Sequence, residues 1–421
     1  MEDFNMSSEK QKLDSLWNYS LFEALARRRG FRLPRGCKIT KAPFGYISDK
    51  EPIPLSELET AILCWTGHGV TGTITADLDH TTHFMNSFIG RTHPNPCNDQ
   101  HQELMYIDDT GAYLYRPKEP TRNVEFQTPE DREKIITSFK DAKVKMIDGR
   151  PQIPEIALMK SNYFNTNKPG TTAFMPIVDV SYEYMNVVLG SCAFERWQIV
   201  DDRNGEMCGL KKWVDNGYLN GPTVPLSWLE MAAFNACMST AHYMVMNISL
   251  AATAMGLGGW HYGGYVTLIL LGGTPLTNGL GFRFITGKDK MPTPVGKDGF
   301  IESLCPPYVK DMSEAVDKFY DMKFGSKGHF GKDYVGMSPW KDKEMPKKIE
   351  IPDAQSKEMA KVFMSYVYDT YGRCPAFVDP IFLPVAYAAH HPDLDFYEKY
   401  YPEEMVTDTI KDHMKVWHGK E

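Results

Sequence analysis

The longest hydrophobic pattern in the chain runs through Ser227–Met255 and predicts a long buried helix, or two shorter helices in series. Its polar interruptions are too frequent for a membrane span: Asn235, Ser239, His242 and Asn247. The last part, Ala251–Ala254, consists of small residues. Another helix or a flat ligand could therefore approach the backbone closely at this point.

Glycines and aromatic residues follow this helix. Gly256–Gly259 predicts the helix end, Trp260–Tyr262 an aromatic turn, and Val266–Leu271, after Gly263-Gly264, a buried strand. Glycines at such a turn supply positive φ and leave room above the chain for a ligand. A tight helix–strand turn inside a core would use the same residues, so the pattern leaves both interpretations open.

Apolar spacing predicts further helices elsewhere in the chain. One is Leu13–Arg29, and another begins at Glu57, where Ser56 and Glu59 have the spacing of a capping box. Other predicted helices are Pro129–Val144, Asp311–Phe324 and Ser356–Tyr371.

Strands are predicted more sparsely. Leu104–Ile107 and Ala112–Tyr115 flank an acidic turn and predict a hairpin. Thr172–Val188 alternates in part and also predicts strands, whereas residues 286–310, rich in lysine, proline and glycine, are interpreted as a connector.

Composition describes a globular protein without a nucleic-acid surface. The 421 residues are 42% hydrophobic and 24% charged, with a net charge of −8, and nucleic-acid binding would need a basic excess. The first residues are acidic and polar and resemble no signal peptide, so a cytoplasmic location is expected. The eight cysteines form no CxxC pair, which favours reduced thiols.

Two segments concentrate groups that suit anions or polar rings. Arg27–Arg32 is a basic run at a predicted helix end, which would bind phosphate through planar guanidinium groups or would simply be solvated. Pro94–Gln100 lies in a rigid polar loop of prolines and asparagines, where function is common. Within it Cys97 is a candidate reactive thiol, although nothing in the sequence indicates a lowered pKa.

No metal site is predicted. His80 and His83 lack a clear third ligand, so a surface pair is the simpler interpretation. His390-His391 is interpreted as a helix end that packs on Phe396 and Tyr397.

Three segments together resemble the flavin site of the nitroreductase superfamily. Arg28–Arg32 resembles the family's RRSxR motif, Pro94–Gln100 its PSxxNxQ loop, and Gly256–Tyr265 its GLGS–PIEGF turn, in the family's order. Gly30 and Asn95 stand where the family has serine, and Gly263 stands where many members have glutamate.

The resemblance implies FMN bound between the two subunits of a homodimer. It assigns the phosphate to arginines, the flavin ring to the loop of the partner subunit, and the ring edge to backbone at two glycines. The cofactor-binding residues it implies are Arg28, Arg29, Arg32, Pro94, Asn95, Pro96, Asn98, Gln100, Gly263, Gly264 and Arg283. His261 and Tyr262 are the candidate catalytic residues, for proton transfer or stacking, or else form a structural wall with Trp260.

Residues 54–71 and 90–117 are similar in particular to the SagB-type dehydrogenase branch. The implied fold class is α+β and nitroreductase-like, with a central antiparallel sheet flanked by helices in an interlocked homodimer. Residues 1–120 and 226–290 would form the flavin-binding core, residues 121–225 an insertion and possible lid, and residues 291–421 a C-terminal extension of helices and loops.

The implied function is that of an FMN-dependent oxidoreductase. Hydride would pass through the flavin between a reductant such as NAD(P)H and a small, aromatic or electron-poor substrate. No GxGxxG follows a strand, so NAD(P)H would dock only transiently. Open alternatives are a dehydrogenase, a dehalogenase, a flavin-degrading oxygenase and a non-catalytic flavin-binding protein. The sequence names neither the physiological substrate nor the electron donor.

Overall fold

The computed structural model of the protein describes residues 2–41, 43–75, 87–99 and 101–419. The predicted site residue Gln100 lies outside these ranges, as do His80 and His83. Within the described ranges no helix combines the length and hydrophobicity that a membrane crossing requires.

Helices are spread along the whole described chain. They are α1 (Glu2–Trp17), α2 (Leu21–Arg27), α3 (Glu57–His68), α4 (Lys134–Ala142), α5 (Val180–Gly190), α6 (Lys211–Asp215), α7 (Leu226–Met255), α8 (Thr267–Leu271), α9 (Met312–Phe324), α10 (Ala354–Tyr371), α11 (Leu394–Tyr400), α12 (Asp408–Lys411) and α13 (His413–His418).

Strands alternate with these helices. They are β1 (Lys38–Ile39), β2 (Tyr46–Ile47), β3 (Val70–Thr73), β4 (Ile89–Arg91), β5 (Gln102–Asp108), β6 (Gly111–Tyr115), β7 (Lys143–Asp148), β8 (Thr172–Asp179), β9 (Gln198–Val200), β10 (Thr223–Pro225), β11 (Gly258–Tyr262), β12 (Arg283–Thr286), β13 (Pro292–Lys297), β14 (Ile301–Glu302), β15 (Ile381–Phe382) and β16 (Ala386–His390).

A seven-stranded antiparallel sheet lies at the centre of the fold. Its order is β11–β16–β8–β5–β6–β7, and β15 also pairs with β8. β5 and β6 pair across the turn at Asp108–Gly111, which confirms the predicted hairpin. The register of β8 on β5 sets Gln102 opposite Val178 and Ile107 opposite Ala173. The mixture of helices and strands and the central antiparallel sheet are therefore as predicted for the α+β class.

Helix α7 joins two hydrophobic cores. Its first half packs with α5, α9 and α10, and its second half packs with α3 and one face of the sheet. Cys237 and Ala241 lie between these halves and pack on Val178 and Val180. The predicted long helix is thus one continuous element of 30 residues, and it ends at Gly256 with a φ of 82°.

The capping box predicted for α3 is present. Ser56 Oγ accepts from the Glu59 backbone N–H at 3.3 Å, and the Ser56 N–H donates to Glu59 Oε2 at 2.6 Å. These two hydrogen bonds fix the Glu59 side chain at the first turn of the helix. The predicted helices α9 and α10 also form, each after an aspartate N-cap.

Two predictions after α7 are wrong. Trp260–Tyr262 is not a turn but part of β11, whose residues pair one by one with β16. Val266–Leu271 is not a strand, because Thr267–Leu271 forms the short helix α8 and Gly272, at φ 99°, ends it. β-branched residues favour strands only where a pairing edge is available, and here β11 takes the edge beside β16.

Two other predictions also need correction. Leu13–Arg29 is not one helix, because the chain leaves helical geometry between Trp17 and Leu21. Residues 286–310 are not a simple connector, because β12, β13 and β14 form a three-stranded sheet there.

The central sheet crosses the predicted domain boundaries. β8 comes from residues 121–225 and β16 from residues 291–421, yet the two strands are neighbours in one sheet. Within residues 121–225, predicted to be an insertion and possible lid, residues 172–190 form a central strand and a buried helix. The division into domains stays a prediction.

Candidate functional site

Two of the predicted phosphate-binding arginines lie exposed at the end of α2. Arg28 is the C-cap of that helix, and Arg29 donates from Nη1 to the Ala26 carbonyl at 3.2 Å. The Arg28 charge acts on two side chains of the sheet, His261 and Tyr387. Arg28 is therefore close enough for its charge to act on the candidate catalytic His261, whose imidazole projects from one face of β11.

The imidazole of His261 is partly desolvated at this face. Desolvation, followed by the charge of Arg28 and by His242, lowers the pKa of His261. The ring also lies edge-on to Tyr387, with 5.6 Å between ring centroids. His261 is therefore largely neutral at pH 7, a state in which one ring nitrogen carries a proton and the other can accept one.

The third arginine of the basic run lies on the opposite face of β11. Arg32 donates from Nη2 to Asn162 Oδ1 at 2.8 Å, and its guanidinium lies 5.6 Å from the Trp260 and Phe164 ring centroids. Gly264 is beside the same amide, since a Cβ there would approach Asn162 Nδ2 to 2.3 Å. Arg32 and Gly264 thus share a partner, Asn162, that sequence reasoning did not identify.

Strand alternation explains this division. Successive side chains of a strand point to opposite faces, so Trp260 and Tyr262 face one side and His261 faces the other. Tyr262 is buried, and Thr166 Oγ1 lies 3.1 Å from its hydroxyl. The two candidate catalytic residues, His261 and Tyr262, therefore do not face one common space within this chain. Gly263 follows Tyr262, and a Cβ there would lie 3.8 Å from the Pro384 carbonyl oxygen, an ordinary contact.

The polar loop 94–99 uses its side chains internally. Asn95 donates from Nδ2 to Thr240 Oγ1 at 2.9 Å, and its Oδ1 accepts from the N–H groups of Cys97 and Asp99. Asn98 adopts a φ of 43° and donates to the Ser87 carbonyl at 2.6 Å. The loop is therefore a rigid turn against α7, and Pro94 and Pro96 lie within it.

The environments of Cys97 and Arg283 differ from those expected of a reactive thiol and a phosphate-binding arginine. Burial raises the pKa of the Cys97 thiol, which opposes a reactive thiolate. Arg283 lies exposed on β12, where its Nη2 is 2.5 Å from Asp298 Oδ2.

A cleft of about 420 Å³ opens between α1, α2, α3 and the second half of α7. Its α7 wall includes Ala251 and Ala254, the small residues that the sequence predicted as a close-approach surface. Trp17 and Trp65 stack at 5.7 Å on the opposite wall. This volume, with mostly apolar walls, is typical of a small-molecule site.

A buried polar group, here called the Lys323 cluster, consists of Asp99, His101, Glu183 and Lys323. Lys323 Nζ lies 3.4 Å from Asp99 Oδ1 and donates to Asn186 Oδ1 at 2.8 Å. His101 Nδ1 lies 3.5 Å from Glu183 Oε2. Burial, then the charge of Asp99, raises the pKa of Glu183 to about 8, and burial lowers the pKa of His101 to about 3.

A second buried group, here called the histidine cluster, consists of Glu59, His391, His413 and His418. The ligand-type atoms of these four side chains lie within 4.8 Å of one another. The prediction for His390-His391 is therefore wrong: His390 ends β16 against Trp260, and His391 joins a cluster of imidazoles.

Sequence reasoning missed both clusters. Glu59 was recognised only as a capping residue. Asp99, within the predicted loop, and His101, directly after it, were not selected as site residues. The pair His413 and His418, five residues apart near the end of the chain, was the available signal for the histidine cluster. Such a pair does not predict a site by itself, because the other members, His391 and Glu59, lie 27 and 359 residues away from His418 in the sequence.

Comparisons with known proteins leave the family undetermined. Searches against protein families and against curated proteins find no match. Among solved structures, a Ralstonia eutropha protein provisionally described as a nitroreductase matches with 12% identity and a TM-score of 0.28. That match covers 59% of this chain and 72% of the other, and at this TM-score it carries no argument about function. Nothing in these comparisons supports the SagB-type branch.

Proposed function

We propose that this protein is an FMN-dependent oxidoreductase that functions as a homodimer. The observation that carries the proposal is the cleft beside α7, whose small-residue wall and stacked tryptophans would accept a flat ring. The order of the three sequence segments that resemble nitroreductases supports the same conclusion. FMN, when bound, supplies the hydride chemistry, while the protein binds, orients and shields it.

The residues of one chain fit such a cofactor in part. Arg28 and Arg29 are exposed cations at the end of α2, the helix whose Leu21 and Ala24 line the cleft. They are the residues that would hold the phosphate, since guanidinium groups bind phosphate in a bidentate manner. Arg32 and Arg283 already have partners, Asn162 and Asp298, so we assign them no direct contact.

The chain's own side chains would exclude water and place a proton. Trp17 and Trp65 close one wall of the cleft. His261, whose pKa the charge of Arg28 helps to lower, is the group we assign to proton transfer at its imidazole. NAD(P)H as the reductant and an electron-poor aromatic compound as the substrate remain part of this proposal.

A second copy of the chain is proposed because α7 is apolar on its outer side as well. Trp228, Met231 and Tyr243 are 44–52% exposed along this helix, and Phe22 on the adjacent α2 is 81% exposed. A helix that is hydrophobic on all sides is normally buried on all sides. The resemblance assigns residues 94–100 of this second copy to the flavin ring.

The test compares arginines in the full-length protein. Purified protein should be yellow or take up added FMN, and sedimentation should show a dimer. The R28A/R29A double variant should weaken FMN binding about 10- to 100-fold, because charge-assisted hydrogen bonds are lost, with little change in apo-protein stability. R283A is the matched control and should bind FMN normally. A protein that takes up no FMN, or an equal loss in R283A, contradicts the proposal.

A further inference from the structure

The histidine cluster joins three distant parts of the chain at one buried point. Glu59 is the third residue of α3, His391 follows β16, and His413 and His418 begin and end α13. The side chains of Glu59, His391 and His413 are 0–2% exposed, and that of His418 is 13% exposed. The proposed flavin chemistry assigns no role to these four residues.

One carboxylate oxygen lies at the centre of the group. Glu59 Oε1 is 3.3 Å from His391 Nε2, 2.9 Å from His413 Nε2 and 3.1 Å from His418 Nε2. The Nε2 atoms of His391 and His418 are 3.0 Å apart. The other oxygen of Glu59 is occupied, because it accepts from the Ser56 N–H.

Backbone carbonyls determine which ring nitrogens face this centre. His391 Nδ1 lies 2.9 Å from the Ile53 carbonyl, and His413 Nδ1 lies 2.7 Å from the Met255 carbonyl. A carbonyl can only accept, so Nδ1 carries the hydrogen and Nε2 of each neutral ring presents a lone pair. Metal-ligating histidines are oriented in the same way, by an N–H donated to a carbonyl on the far side of the ring.

The lone pairs therefore converge on a carboxylate with no side-chain cation to balance it. His413 Nε2 is buried and has no hydrogen-bond partner of suitable geometry among the described residues. None of the ion pairs formed by the described residues brings a lysine or arginine to Glu59. A buried polar atom without a partner is costly, and a bound cation would satisfy His413 Nε2 and balance the charge of Glu59.

We propose that Glu59, His391, His413 and His418 form a closed, structural zinc site. Zn²⁺ binds imidazole nitrogen and carboxylate oxygen at about 2.0–2.2 Å in a tetrahedron, which sets the ligand atoms roughly 3.3 Å apart. The distances from Glu59 Oε1 to the three imidazoles, 2.9–3.3 Å, need only small adjustments to reach that spacing. Four protein ligands leave no open position for a substrate or water, so the site is structural.

Such an ion would attach the C-terminal segment to the body of the protein. Trp417 packs in the same core as Leu13, and Lys12 Nζ donates to the Trp417 carbonyl at 2.8 Å. His413 contacts the last residue of α7, and Gly256, next along the chain, lies so close to Thr409 that a Cβ would reach its carbonyl at 2.2 Å. Zinc would therefore hold α13 against α1, α3 and the end of α7. This inference does not depend on the proposed function.

The test measures zinc in full-length protein without a histidine tag. Elemental analysis after dialysis should find one zinc ion per chain in the natural protein. His391→Gln and His418→Gln should lose it, with affinity reduced by more than the roughly 10- to 100-fold typical of changes outside the ligand set. His242→Gln, on the exposed side of α7, is the matched control and should keep its zinc.

A second readout covers variants that fold poorly. Natural protein treated with a chelator should take up Co²⁺ to one equivalent, with the intense visible spectrum of a four-coordinate ion, and should become more resistant to proteolysis near its C-terminus. Failure to take up Zn²⁺ or Co²⁺, a six-coordinate spectrum, or full zinc retention in both cluster variants would overturn the site. The cluster would then be a network of protonated imidazoles around Glu59.

Discussion

The histidine cluster and the Lys323 cluster contain similar chemistry but balance it differently. Each buries carboxylate and imidazole atoms within 4.8 Å of one another. In the Lys323 cluster the protein supplies its own cation, because Lys323 Nζ reaches Asp99 and Asn186. In the histidine cluster the described residues supply three imidazoles and no lysine or arginine.

This difference indicates which of the two clusters is a candidate metal site. A carboxylate already paired with an ammonium group gains little electrostatic stabilisation from a second cation. Neutral imidazoles whose Nδ1 atoms donate to carbonyls present lone pairs at Nε2. Proximity of ligand-type residues is therefore not enough to identify a metal site. The two clusters are distinguished by whether the nitrogen lone pairs point to a common centre.

The largest effect on stability is expected from removing the buried cation Lys323. Lys323→Met leaves Asp99 and Glu183 buried without their ammonium neighbour, which should destabilise the fold by about 3–5 kcal/mol in urea unfolding. Lys361→Met is the control, because Lys361 pairs with the half-exposed Asp317 and should cost less than about 1 kcal/mol. Equal losses in the two variants would show that Lys323 is not the compensating charge.

The corresponding change at the histidine cluster is removal of the ion. A chelator should lower the free energy of unfolding by about 3 kcal/mol relative to protein with zinc at a hundredfold excess over its dissociation constant. His391→Gln should show no such response, while Lys323→Met should respond like the natural protein. A chelator effect of the same size in His391→Gln would mean that zinc binds elsewhere.

A pH dependence is expected from the Lys323 cluster. Burial and the charge of Asp99 raise the pKa of Glu183 to about 8, whereas glutamate in an unfolded chain titrates near 4.3. Between these values the folded state holds a proton that the unfolded state releases, so stability falls as pH rises. Glu183→Gln should remove this fall, on the order of 2 kcal/mol between about pH 5 and about pH 7.

The measurement is urea unfolding at both pH values. Glu404→Gln, at an exposed position, should keep the pH dependence of the natural protein. If Glu183→Gln keeps it as well, another buried carboxyl is responsible; Glu230, whose pKa burial raises to about 7, would be the next residue to test.

The smallest expected effect separates the helix cap from the zinc site. Ser56→Ala removes the side-chain acceptor of the capping box and should cost about 1 kcal/mol. The Ser56 backbone N–H still donates to Glu59 Oε2, so the variant should retain its zinc by elemental analysis. Zinc loss equal to that of His391→Gln would show that the cap itself orients the carboxylate.

Local chemistry was predictable wherever its cause is local. The capping box at Ser56 and Glu59, the hairpin around Asp108–Gly111 and the long helix α7 all depend on residues close in sequence. The small-residue surface at Ala251 and Ala254 was likewise visible in the sequence, and it lines the cleft.

Predictions failed where a distant segment decides the conformation. Trp260–Tyr262 is a strand only because β16, more than a hundred residues later, pairs with it. Arg32 is separated from the exposed Arg28 and Arg29 because it binds Asn162, a partner 130 residues away. Neither pairing leaves a periodic signal in the sequence around β11.

The sequence by itself therefore determined the capped helices, the hairpin and the basic run at Arg27–Arg32, because each arises from neighbouring residues through hydrogen-bond geometry and periodicity. Only the tertiary structure decided that Glu59, a capping residue, also faces His391, His413 and His418. The physical reason is that a buried cluster depends on directions of lone pairs in space. Those directions are set by packing between segments that lie as many as 359 residues apart in the sequence.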